Sequence, residues 1–265
     1  TVSFPNPEEP GAMDLLLAEA DRVGADLALA NDPDADRLGV AVPLPDGGWK
    51  PLRGDEIGWL LADHILRFTE GDDRLVVTTL VSSTLLSRMA AAANVHYAET
   101  FTGFKWIARA IAERPQLRFV FGYEQALGYL VTDRPRDKDG ITAAVLMAEI
   151  AALAKVEHTT LLARLDDIAA RFGRHVTAER SIPVAVANMA AFMERLRASP
   201  PTQLAGVAVS GVTHIAEANL LRFALGDSTR VQVRPSGTEP KVKLYAETVN
   251  RDPEPLLDAL VAATT

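Results

Sequence analysis

Three aspartates, Asp32, Asp34 and Asp36, alternate with Pro33 and Ala35 directly after the apolar run 26–30. Carboxylates this close repel one another unless a cation sits among them. An all-oxygen ligand set suits a hard ion such as Mg²⁺, with Mn²⁺ or Ca²⁺ also allowed. Neither His nor Cys is nearby, which argues against zinc. Arg37 adjoins the three acids, and a fixed guanidinium beside a metal suits an anionic phosphoryl group. A solvated acidic turn is the plain alternative. A calcium loop of the EF-hand type needs Gly at its sixth position and Glu at its twelfth, where Arg37 and Pro43 stand.

A second cluster, Arg234-Pro235-Ser236-Gly237-Thr238-Glu239-Pro240-Lys241, has the makings of an anion site. Arg234 can grip phosphate bidentately. Ser236 and Thr238 supply hydroxyl donors, and Gly237 lets backbone N–H groups turn inward. A plain hairpin turn competes with this reading. Between the two clusters lies Gly122-Tyr123-Glu124-Gln125-Ala126-Leu127-Gly128-Tyr129, where Glu124 is placed to accept hydrogen bonds from sugar hydroxyls or to be a surface acid. Lys138, in the run 136–140, could meet a phosphate, although the run by itself reads more readily as a solvated charge cluster, and Asp139 could cap a helix. Lys105 and Trp106 follow Gly103 at a helix start, a pattern that by itself fits core plus surface better than a site. The five histidines show no metal-ligand spacing and read as structural. Ser82-Ser83-Thr84 lacks the Gly-x-Ser-x-Gly setting of a hydrolase nucleophile.

The elements that must hold these loops can be read from periodicity. Helices are predicted over 11–23, 54–68, 83–93, 104–113, 141–155, 161–171, 189–198 and 253–263. Strands are predicted over 26–30, 38–42, 75–80, 95–98, 118–121, 176–186, 207–214, 218–224, 229–233 and 241–248. Residues 122–139 read as a polar, Gly-punctuated loop. Alternating strands and helices up to about residue 172 predict an α/β layer with a largely parallel sheet. The strand-rich remainder predicts a small α+β domain.

The chain has 265 residues, 48% hydrophobic and 23% charged, the balance of an ordinary globular protein. No apolar run approaches the ~20 residues of a membrane span. A formal net charge of −8 argues against general nucleic-acid affinity. The absence of cysteine excludes disulfides, thiolate metal sites and cysteine nucleophiles, and fits a cytoplasmic protein. Thr1 and the Pro-rich opening read as the continuation of a longer chain.

Together, DPDADR (32–37), GYEQALGY (122–129) and RPSGTEPK (234–241) resemble the metal, sugar-recognition and phosphate-binding loops of the α-D-phosphohexomutase family, of the phosphoglucomutase/phosphomannomutase type. The resemblance covers essentially the whole chain. GFKW (103–106) and GYEQALGY look most like the phosphoglucomutase branch that includes phosphopentose-acting relatives. The resemblance implies mixed α/β domains followed by an α+β domain with a four-stranded sheet and two helices. It places the end of the second of four domains at 1–52, the third at 53–172 and the fourth at 173–265, the last closing over the substrate's phosphate. It implies a mutase that moves a phosphoryl group between a phosphoserine and a sugar phosphate through a bisphosphorylated sugar of the glucose 1,6-bisphosphate type. Asp32, Asp34 and Asp36 would then hold Mg²⁺, with Arg37 assisting. Glu124, Lys105 and Lys138 would face the substrate, and Arg234, Ser236, Gly237 and Thr238 would hold the non-reacting phosphate. The family's Thr-Ala-Ser-His-Asn type serine loop has no counterpart in this chain. The implied partners are therefore a phosphorylated sugar and an N-terminal part of the same protein, without which the chain is expected to be inactive. Ala126 stands where many hexomutases have Ser, Tyr129 where a His is common, and the loop carries an extra residue. These departures leave the sugar and the general acid/base open. A sugar-phosphate-binding module without catalysis, or a phosphatase with Asp32 as nucleophile, would use the same loops.

Overall fold

The computed structural model describes residues 2, 5–226, 228–236 and 239–264. The chain forms two compact units, Thr1–Phe172 and Gly173–Thr265.

The first unit opens with helix α1 (Asp14–Val23), which stops at Gly24. Gly24 takes the left-handed conformation (φ 63°) and donates its N–H to the last carbonyls of the helix. Strands β1 (Ala28–Ala30), β2 (Gly39–Pro43) and β3 (Trp49–Pro51) follow as a three-stranded antiparallel sheet in that order. Strands β1 and β2 pair with Ala30 opposite Gly39, so the acidic loop is the connection of a hairpin. Strand β3 was not expected from the sequence, because three residues after a Gly-Gly turn are too few to show a period.

Next come α2 (Gly54–Phe68), β4 (Arg74–Thr79), α3 (Leu85–Ala92), β5 (His96–Thr100) and α4 (Phe104–Ala112). They are followed by β6 (Arg118–Glu124), β7 (Gly128–Leu130), α5 (Gly140–Val156) and α6 (Leu161–Phe172). The sheet order is β5-β4-β6-β7, with β4 parallel to both neighbours and β6 antiparallel to β7. Every residue of β4 is buried, as expected of a central strand covered on both faces. One face carries α4, with Phe104 and Ile107 packed on Leu75 and Val77. The other carries α2, α3, α5 and α6, with Ile57, Leu86, Met147 and Ile168 packed around Val76, Phe121 and Tyr123. Residues 122–139 are therefore not all loop. Tyr123 and Tyr129 are fully buried and stacked, with centroids 6.4 Å apart, and they extend the sheet through a β6–β7 hairpin. The flanking glycines masked that short alternation in the sequence.

The second unit contains β8 (His175–Pro183), α7 (Val186–Ala198), β9 (Gln203–Leu204), β10 (Val207–Ala208) and β11 (Gly211–Ile215). After a 3₁₀ turn at Ala216–Ala218 come β12 (Leu220–Ala224), β13 (Arg230–Pro235), β14 (Lys241–Val249) and α8 (Glu254–Thr264). Its main sheet has five strands, β11-β12-β13-β14-β8, all antiparallel, where four were expected. The run 207–214, expected as one strand, breaks at Val209-Ser210. Its first half pairs with β9, and its second half joins β12 at the sheet edge. Phe192 and Leu196 of α7 and Leu257 and Leu260 of α8 close the core with Phe223, Val231 and Leu244. Among the described residues, no helix is long and apolar enough to cross a membrane.

Candidate functional site: an acidic loop locked to a glutamate loop

The acidic loop is shaped by its own backbone and side chains. Ala35 lies in the left-handed region (φ 60°), and its N–H donates to the Asp32 carbonyl at 2.9 Å. The Asp32 carboxylate accepts the Arg37 N–H at 3.1 Å, and the Asn31 amide donates to the Arg37 carbonyl at 2.6 Å. These bonds curl the segment so that Asp32, Asp34 and Asp36 each present a carboxylate oxygen within 4.8 Å of the others. Asp34 is exposed, and the other two are half-buried. Small rotations about these side chains bring three oxygens around one cation, and the donors suit Mg²⁺. Two cations already offset the repulsion. Lys138 pairs with Asp36, and the Arg37 Nε lies 3.6 Å from Asp32. Burial pulls the Lys138 ammonium down, but the hydrogen bond and charge of Asp36, helped by Asp137, outweigh it and hold the pKa above the ordinary lysine value.

The glutamate loop is anchored from beneath. Tyr123 donates its hydroxyl to Asp55 at 2.8 Å, and Asp55, almost fully buried, also accepts the Ser83 N–H at 2.8 Å. Tyr129 donates to the Gly54 carbonyl at 3.0 Å. Burial, then the nearby Glu8 and Asp55 carboxylates, push the Tyr129 phenol well above its ordinary value, so it stays a neutral donor. Tyr129 is fully buried and holds the loop from below, with no exposed face to offer a substrate. Ser82 accepts the Gln125 N–H at 3.1 Å and bonds its side-chain carbonyl at 3.0 Å. The loop packs so closely on α2 that a Cβ at Gly54 would lie 1.7 Å from the Gln125 carbonyl oxygen. Glu124 emerges half-buried at the end of β6, where Gly103 donates its N–H to it at 2.7 Å. That bond ties Glu124 to the turn that starts α4 and carries Lys105. Lys105 itself is exposed, its ammonium 5.6 Å from the centre of the Trp106 ring.

The two loops form one hydrogen-bonded assembly. Arg37 makes an antiparallel bridge with Gly128, and Leu38 donates its N–H to the Leu127 carbonyl at 3.0 Å. The start of α5 completes it. Asp139 caps that helix through Ile141 and Thr142, and its own N–H reaches the Tyr129 carbonyl at 2.8 Å. Gly140 fits where a Cβ would strike the Arg37 carbonyl at 2.3 Å. Asp32, Asp34, Asp36, Arg37 and Lys138 thus share one surface, hydrogen-bonded to the loop that bears Glu124. The sequence reading missed Asn31, Gly54, Asp55, Gly103 and Gly140. A Gly at the first position of α2, α5 and before α4 was the one visible sign.

Arg234 and Ser236 lie in the second unit, at the β13–β14 connection. Arg234 opposes Lys243 across the ladder, and the Ser236 N–H donates to the Lys241 carbonyl at 2.9 Å. The Ser236 hydroxyl accepts the Glu239 N–H at 3.2 Å. Gly237 and Thr238 lie outside the described residues.

Comparison with known proteins gives a consistent picture. Residues 1–46 match the family model described as "Phosphoglucomutase/phosphomannomutase, alpha/beta/alpha domain II", 53–172 match domain III, and 176–262 match the C-terminal domain. A Haemophilus influenzae protein named "Probable phosphomannomutase" is 40% identical over 260 residues, covering 96% of this chain and 52% of the relative. A Schizosaccharomyces pombe "Probable phosphoribomutase" is 31% identical over 92% of this chain and 47% of its own length. Human "Phosphopentomutase" is 31% identical over 99% and 50%. The chain spans about half the length of these relatives. Among solved structures, a putative phosphomannomutase from Thermus thermophilus superposes with TM-score 0.70 at 22% identity, over 98% of this chain and 50% of the other. A phosphoglucomutase/phosphomannomutase family protein from Burkholderia thailandensis gives 0.72 at 21%, with the same coverage. At those identities the likeness shows the shared fold.

Proposed function

The chain belongs to the phosphoglucomutase/phosphomannomutase family, and from that membership we propose that it is the metal-, sugar- and phosphate-binding portion of a sugar-phosphate mutase. The complete enzyme interconverts a sugar 1-phosphate and 6-phosphate through a phosphoserine and a bisphosphorylated sugar. We assign residues 1–52 to the end of its second domain, 53–172 to the third and 173–265 to the fourth, in a cytoplasmic protein. The observation that carries this reading is the bridge between Arg37 and Gly128, which joins a three-carboxylate cluster to a glutamate loop. A metal and a sugar can then be held in fixed relation.

Asp32, Asp34 and Asp36 would hold Mg²⁺, which when bound neutralises charge on a phosphoryl group in transfer. Arg37 lies beside that charge and orients an anionic oxygen. Glu124 accepts hydrogen bonds from sugar hydroxyls, and Lys105 and Lys138 are the cations proposed to meet the substrate. Arg234 and Ser236, with Gly237 and Thr238, hold the phosphate that is not reacting. Phosphoryl transfer needs alignment and charge neutralisation more than covalent chemistry, which matches what these residues can supply. The phosphoserine would be supplied by the N-terminal part of the same protein.

The test is complementation. Mixed with, or fused to, the N-terminal half of the Haemophilus influenzae relative, the chain should convert glucose or mannose 1-phosphate to the 6-phosphate, and Asp34→Asn should abolish the conversion. Alone, it should not turn over substrate. Turnover by the chain alone, or activity that survives Asp34→Asn, would overturn the proposal.

A further inference from the structure

The first unit has a cleft of about 640 Å³ that the mutase reading does not use. Helix α2 supplies Asp63, Leu66 and Arg67 to it, whereas the glutamate loop rests on Gly54 and Asp55 at the other end of that helix. The nine residues from Gly54 to Asp63 span roughly 13 Å at 1.5 Å per residue. The cleft therefore lies away from the acidic loop.

Its chemistry is that of an anion receptor with one internal occupant. Arg67 and Arg164 both direct guanidinium N–H groups at the Glu157 carboxylate, at 3.3 and 2.9 Å. Two cations share one anion there. Arg171 does not add to the excess, because Asp63 pairs with it. Asp167 also lines the cleft but is exposed and screened by water. Arg164 is only 8% exposed, and among the described residues its Nε–H has no hydrogen-bond partner. A buried guanidinium N–H left unmatched is costly, so the arrangement favours a further acceptor. Glu157 sits just past the last turn of α5 and is exposed enough to swing out. The rest of the wall is mainly apolar, with Leu66, Met89 and Phe172 beside Thr159.

We propose that this cleft is a second ligand site, for a small organic anion with a carboxylate or phosphate-monoester head and an apolar body. The head displaces Glu157 and bridges Arg67 and Arg164, whose planar forks match both kinds of oxyanion. The body lies against Met89 and Phe172.

Phenyl phosphate, which combines such a head with such a body, is the probe. It is titrated calorimetrically into the Arg234→Ala chain in EDTA, which silences the metal loop and weakens the other phosphate loop. We expect saturable binding, with inorganic phosphate binding more weakly. Arg67→Ala should weaken it about tenfold, the loss of roughly one charge-assisted hydrogen bond. Glu157→Gln should strengthen it, because the internal competitor is gone. Both positions are partly exposed, and unchanged melting would show that the variants stay folded. Opposite shifts in the two variants establish the site. No binding, or shifts that are absent or of the same sign, overturns it.

Discussion

At the scale of single residues, Lys138 and Asp36 set the terms for metal binding. The ammonium occupies one carboxylate of the three that converge within 4.8 Å. A divalent cation arriving there must overcome a like charge a few ångströms away. The pair is partly exposed, so its net strength is modest, about 1 kcal/mol or less. Lys138→Met should therefore tighten Mg²⁺ binding by about threefold to tenfold in calorimetry while lowering metal-free stability slightly. A weaker Mg²⁺ affinity in that variant would mean that Lys138 orders the loop more than it competes for it. Among the described residues Asp34 has no cation paired with it, and it is exposed, so it is the proposed ligand whose loss acts on the metal with least disturbance to the fold.

At the scale of elements, the site depends on where helices begin. Gly54 opens α2 against the Gln125 carbonyl, and Gly140 opens α5 against the Arg37 carbonyl. A methyl at Gly54 would meet backbone, which cannot yield as a side-chain tip does. Gly54→Ala should cost about 3 kcal/mol or more by overpacking and should also weaken sugar-phosphate binding, read by thermal melting and titration. Normal stability and affinity would show that the loop can retreat from α2. Tyr123→Phe should cost about 1–3 kcal/mol, because Asp55 would keep its burial and lose a donor.

The elements were largely readable in the sequence. The span of α2 was read correctly, since its Gly-Asp-Glu start and apolar stripe are strong signals. The convergence of Asp32, Asp34 and Asp36 was legible from their alternation, although the same pattern also fits a solvated turn. What held the loops in place was not legible. The β6–β7 hairpin hides behind glycines, and the contacts of Asp55, Gly103 and Gly140 join residues far apart in the chain. The edge strand β11 was merged with β10, because nothing in the local pattern marks which partner each half finds.

At the scale of the whole molecule, the two units each enclose their own core. Phe192, Phe223, Val233, Leu244 and Leu257 pack together wholly within the second unit. A self-contained core is the condition for independent folding. Fragments 1–172 and 173–265, expressed separately, should each give a dispersed amide spectrum and cooperative melting. A collapsed spectrum from either would show that its core needs the other. Within the second unit, Glu247 is buried between His175 and Arg230, at 2.8 and 2.9 Å. Glu247→Leu should destabilise that fragment by about 3 kcal/mol or more, because it removes the carboxylate that a buried guanidinium and a buried imidazole both meet.

We propose that the acidic loop holds Mg²⁺ and that the Arg234 loop takes a sugar phosphate. The direct measurement is calorimetric titration of the intact chain with glucose 1,6-bisphosphate, with and without Mg²⁺. The account predicts binding that Mg²⁺ strengthens, that loses its Mg²⁺ dependence in Asp34→Asn, and that weakens at least about tenfold in Arg234→Ala. Absence of binding, or binding indifferent to Mg²⁺ and to both substitutions, would contradict it.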